Sequence, residues 1–164
     1  MNLSPTDFRD LVADLLGGAH DCQTLVRGKS MRPAIEDGDL VTLRSSSPHE
    51  LIPGDVLLFV TPEGQPICHR LVRILRRRGQ RWVQTWGDAS PWPDAPVPVE
   101  NVLGRVELVR SKNREVAREA LSREFQRSLL RRRLCLCVPG LLRARRSRLP
   151  EYCVPAEKPH PLER

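Results

Sequence analysis

The sequence predicts a mainly β domain with a helix on either side. Three observations predict it. Between Cys22 and Arg110, short runs of Val, Leu and Ile alternate with Gly, Pro and Asp, the punctuation of strands and turns. Pro is abundant at 15 residues, which suits extended segments better than a helical bundle. Aromatic residues are only 4%, so the core must be built from Leu and Val. A length of 164 residues fits one domain with an appendage and is too short for two full domains.

The elements follow in order. Over residues 1–20, Ser4-Pro5 can cap and start a helix. Phe8, Leu11, Val12, Leu15 and Leu16 fall on one face of it, and Gly17-Gly18 ends it. Strands are expected at 22–28, 39–44, 55–60, 66–76, 81–86 and 101–109 within a β domain over 21–110. Two of them share a signature, Gly38-Asp39 before one and Gly54-Asp55 before another. Gly permits the positive φ of a tight turn, and Asp can bond the turning backbone. Arg76–Gln80 reads as a hairpin tip. The run 91–98 (PWPDAPVP) is too rich in Pro for helix and reads as an extended strap. Over 112–134, Ala117, Leu121, Phe125 and Leu129 recur every four positions, so 111–149 is expected to be a basic helical extension broken at Pro139-Gly140. Residues 150–164 read as a disordered tail.

The net charge of +7 is unevenly placed. Residues 1–109 carry 12 Lys and Arg against 14 Asp and Glu, while residues 110–149 carry 13 against 3. The β domain is therefore near neutral and the segment after it strongly basic. That segment could cover a sheet edge as a solvated helix, or meet nucleic acid or an anionic membrane surface. No run reaches the roughly 20 apolar residues of a membrane span, and no secretory signal opens the chain. The cysteines Cys22, Cys68, Cys135, Cys137 and Cys153 are odd in number, which without an export signal suggests reduced thiols and a cytoplasmic setting, with peripheral membrane contact an alternative. Cys135, Cys137, Cys153 and His160 match no common zinc spacing, so no metal or other cofactor is expected.

Three segments carry the residues of a nucleophilic hydrolase. The first is Gly28-Lys29-Ser30-Met31-Arg32-Pro33, at the end of a candidate strand. The second is Cys68-His69-Arg70 within another, and the third is Gly87-Asp88 followed by Asp94. Ser is a poor nucleophile unless a base takes its proton. Neutral imidazole can do so, and a carboxylate can then orient the ring. Each piece alone is common in proteins that catalyse nothing.

Their order is more specific. SMRPAIEDGDLVTL resembles the nucleophile box of the type I signal peptidase and LexA-like serine peptidase superfamily, and PGDVLLF resembles its second strand. CHRLVRI and QTWGDASPWPD resemble the His-Arg and Gly-Asp boxes of the Ser-His signal peptidases found in the endoplasmic reticulum and archaea. NVLGRV resembles the closing strand. The resemblance covers residues 25–107 and implies a coiled antiparallel sheet and a serine endopeptidase. Ser30 would be its nucleophile, His69 its general base, and Asp94 the orienting group, with Asp88 a second supporting carboxylate. Gly28, Met31 and Pro33 would shape the substrate pocket, and the Ser30 N–H would be an oxyanion donor. Other branches use a Lys base, but no Lys lies between Lys29 and Lys112. The substrate implied is a peptide or precursor protein with small residues near the cleavage site, bound by strand addition. The alternatives are a LexA-like regulator whose basic tail binds nucleic acid or membrane, and a noncatalytic interaction module. Only 29 residues precede Ser30, too few for a helix-turn-helix domain.

Overall fold

The computed structural model describes residues 5–18, 21–123 and 125. It is mainly β, and its strands form one antiparallel sheet. The chain runs α1 (Pro5–Gly17), β1 (Cys22–Leu25), β2 (Leu40–Arg44), β3 (Val56–Val60), β4 (Pro66–Arg77), β5 (Gln80–Trp86), β6 (Val97–Pro98), β7 (Val102–Ser111) and β8 (Arg114–Ala117). The order across the sheet is β1-β2-β7-β3-β4-β5-β6, with β8 also on β7. The expected basic extension beyond 125, the tail and the Cys135, Cys137, Cys153 and His160 group lie outside the described residues.

β3 is central and apolar at every position because both its faces are covered. Side chains alternate along a strand. Val56 and Leu58 therefore join one core with Val41, Leu43, Val106, Val109 and Ile35. Leu57 and Phe59 join another with Leu51, Leu71, Val83 and Val97. Burying each such side chain contributes about 1.5–3 kcal/mol.

The two Gly-Asp signatures build the same turn twice. Gly38 and Gly54 take φ of 86° and 108°, which side chains with a Cβ resist. In the first turn the Asp39 N–H donates to Glu36 O, and Asp39 Oδ2 accepts from the Glu36 N–H. In the second, the Asp55 N–H donates to Ile52 O, and Asp55 Oδ2 accepts from the Ile52 N–H. Each glycine N–H then donates to a neighbouring segment, Gly38 to Val26 O and Gly54 to Leu71 O, both at 2.8 Å.

The expected strands are present, and the hairpin tip closes through Arg78 and Gly79, both at positive φ. Three details differ from expectation. β1 stops at Leu25, because Val26 turns to bond the first Gly-Asp turn. On α1, Val12 and Leu16 are buried but Leu11 and Leu15 are exposed, so the packed stripe is narrower than the apolar one. Gly104 lets Leu16 in: a Cβ there would stand 2.8 Å from Leu16 Cδ1. Residues 114–117, expected as helix, form β8 instead, and helix begins at 118. The reason is an open sheet edge. β3 pairs β7 only over Val102–Arg105, and β2 holds the other side. The vacant edge from Leu108 to Ser111 is filled by the chain turning back on itself. Leu121 and Phe125 of the helical repeat are buried.

Candidate active site

Ser30 stands in the loop after β1, and His69 is on β4. Asp94 lies in the strap between β5 and β6. Ser30 Oγ is 2.9 Å from His69 Nε2, and His69 Nδ1 is 2.7 Å from Asp94 Oδ2. The three side chains form a continuous chain of contacts from hydroxyl to imidazole to carboxylate. His69 is buried, with its side chain 9% exposed, while that of Asp94 is 24% exposed.

The backbone fixes each member. The Ala89 N–H donates to Ser30 O at 2.7 Å, pinning the serine to the turn after β5. The Asp94 N–H donates to Thr85 O at 2.9 Å, and the Thr85 hydroxyl donates to Asp94 Oδ2 at 2.7 Å. Gln84 Nε2 donates to Asp94 O and Arg73 Nε to Gln84 Oε1, so β4 and β5 together hold the strap. Gly87 is required by close approach. A Cβ there would lie 2.8 Å from Ser30 O and 2.9 Å from His69 Nε2.

Asp88 goes elsewhere. It accepts from Arg70 Nε at 2.8 Å and from Nη2 at 2.6 Å, while Arg70 Nη1 donates to Gly54 O and Leu121 O. Arg70 is 1% exposed, and its guanidinium also lies over the Phe125 ring. His69 and Arg70 are consecutive on β4, so they face opposite sides of the sheet. The two carboxylates in the 88–94 segment thus serve opposite faces, Asp94 the imidazole and Asp88 the guanidinium.

Two clefts adjoin at Val26, Arg27, Pro66 and Cys68, and Ser30 lines one of them. One, of about 220 Å³, is lined by Val26, Gly28, Ser30, Met31, Ile67 and His69 among others. The other, of about 210 Å³, is lined mainly by apolar groups, including Val41, Leu43 and Leu58. Gly28 and Met31 are therefore at the cleft, whereas Pro33 is exposed and lines neither. Both clefts lie between 24–27 and the start of β4. β1 is at the end of the sheet, and β5 pairs with β4 only from Arg70 onward. Two strand edges on which no described strand pairs thus border the same groove, the setting for an added strand.

Cys68 also lines the groove, but burial pushes its thiol pKa up to about 12. At neutral pH it is a protonated thiol and a poor nucleophile. No cluster of three or more His, Cys, Asp or Glu residues able to hold a metal occurs among the described residues. No described helix is long and apolar enough to cross a membrane.

The three residues named from sequence, Ser30, His69 and Asp94, come together, whereas Thr85 and Gln84, which hold Asp94, were not named from it. Their part depends on strand register, which no motif encodes. No curated protein matches the chain. The family model described as Peptidase S24-like matches residues 5–106, more than half of the chain and inclusive of Ser30, His69 and Asp94. The chain belongs to the Peptidase S24-like family.

Proposed function

We propose that the protein is a serine endopeptidase of signal-peptidase-like type that uses a Ser30–His69–Asp94 triad. The observation that carries this reading is the unbroken line of contacts from Ser30 Oγ through the ring to Asp94, at the edge of an open groove. In the first step Ser30 Oγ bonds to the carbonyl carbon of the substrate peptide, and His69 Nε2 takes the hydroxyl proton. Asp94 holds the Nδ1–H and stabilises the imidazolium. The C–N bond then breaks as Nε2 gives that proton to the leaving amine. Water, deprotonated by the same nitrogen, hydrolyses the ester and restores Ser30. The main-chain N–H of Ser30 is the oxyanion donor in this scheme. Asp88 acts at one remove, through Arg70 and the 87–90 turn.

The substrate lies extended along the edge of β1. Side chains one and three residues before the cleaved bond enter the two clefts, and the resemblance to signal peptidases implies that these are small.

The test is cleavage of a peptide with Ala at those two positions by the wild type, Ser30→Ala and His69→Ala. Each variant should lose about a thousandfold or more in kcat with unchanged circular dichroism. Normal turnover in either variant would refute the assignment.

A further inference from the structure

We propose that Arg27 selects substrates with an acidic side chain two residues before the cleaved bond. This deepens the peptidase reading and rests on it. Along residues 22–27, Cys22, Thr24 and Val26 are buried or half-buried, whereas Gln23, Leu25 and Arg27 are exposed. The alternation in exposure continues two residues beyond β1, although Val26 spends its own bonds on the first Gly-Asp turn, its N–H donating to Asp39 O and its carbonyl accepting from the Gly38 N–H. Leu25 and Arg27 therefore share the outward face.

A strand added to this edge has the same alternation. Its residues one and three before the cleaved bond point inward to the clefts. The residue between them points outward, onto the face of Leu25 and Arg27. Arg27 is three positions before Ser30 and Leu25 five, so Arg27 meets the residue nearer the cleaved bond. Directly facing cross-strand pairs of opposite charge attract and like charges repel.

The charge lining the clefts is one-sided. Arg27 borders both clefts, and no Asp or Glu lines either. Among the described residues, Arg27 makes no ion pair or side-chain hydrogen bond. The Asp37 carboxylate, which accepts the Gly28 N–H at 2.8 Å, keeps its charge but lines neither cleft, and Glu36 stands 3.9 Å from Arg32. Lys29, two residues on, is exposed and adds a second positive charge at the rim.

Three peptides with Ala one and three residues before the bond, and Asp, Asn or Lys between them, test the assignment through kcat/KM. The wild type should cut the Asp peptide about two- to fivefold better than the Asn peptide, with the Lys peptide poorest. The preference should shrink in high salt. Arg27→Gln should flatten the order and Arg27→Glu should reverse it. Equal rates for all three peptides in the wild type, or an unchanged order in Arg27→Glu, would overturn the role of Arg27 and leave the peptidase standing. A wild type that cuts none of the three would overturn the peptidase reading and this one with it.

Discussion

At the scale of single residues, Gly87 sets the tolerance of the site. Its neighbours at the Cβ position are Ser90 Oγ at 2.5 Å, Ser30 O and His69 Nε2. The serine hydroxyl can rotate aside, but the Ser30 carbonyl is fixed by the Ala89 N–H and the imidazole by Asp94. A methyl group there must push apart the two groups whose contact matters most. Gly87→Ala should fold, since Gly87 has no positive φ to lose. Displacement of a reacting group by about 1 Å can cost a hundredfold. The expected outcome is a fall of about that size in kcat, with a loss of about 1–3 kcal/mol in stability from the overpacking. Full activity would show that the turn yields without disturbing the pair.

At the scale of elements, the two Gly-Asp turns share a further property. Each leaves one carboxylate oxygen for a donor from the end of the described chain. Asp39 Oδ1 accepts from the Ser111 hydroxyl at 2.5 Å, and Asp55 Oδ1 from Arg118 Nε at 2.8 Å. Asp55 is fully buried. The ion pair raises the Arg118 pKa, through the hydrogen bond first and in spite of desolvation. The helix starting at 118 is thus clamped to the sheet by Arg118, by the Leu121 carbonyl on Arg70, and by Phe125 over the same guanidinium. Removing one partner of a buried ion pair costs about 3–5 kcal/mol, and the partial exposure of Arg118 reduces this. Arg118→Ala should destabilise the fold by about 2–3 kcal/mol, measured by urea unfolding. Replacing Asp55 as well, by Asn, should recover part of the loss. A loss no larger than that of an exposed pair, about 0.5 kcal/mol, would mean the contact is ornamental.

Strands and the hydrolase triple were legible for different reasons. The strands showed because period-two burial and Gly-Asp punctuation are local. β8 was hidden because a four-residue apolar spacing also fits Ala117, Leu121 and Phe125. Only the vacant edge of β7 decides the matter, and it is set by where β3 stops pairing. The pairing of Asp88 with Arg70 was hidden for a similar reason. Which carboxylate reaches His69 depends on the strap folding back onto Thr85, and local sequence carries no mark of that contact.

At the scale of the whole molecule, the sheet brings together Ser30 and His69, which are 39 positions apart, and an aspartate 25 positions further on. The same curled sheet sets two unpaired edges along one groove and leaves the opposite face to Arg70 and the helix that begins at 118. The central claim is that this assembly transfers an acyl group to Ser30. Intact-mass spectrometry after rapid acid quench, with an ester of a small-residue peptide as substrate, tests it most directly. A good leaving group lets acylation outrun hydrolysis. The account predicts a mass gain equal to the acyl half of the ester, mapped to Ser30 and absent in Ser30→Ala. Hydrolysis at an undiminished rate in Ser30→Ala, or an adduct on another residue, would contradict it.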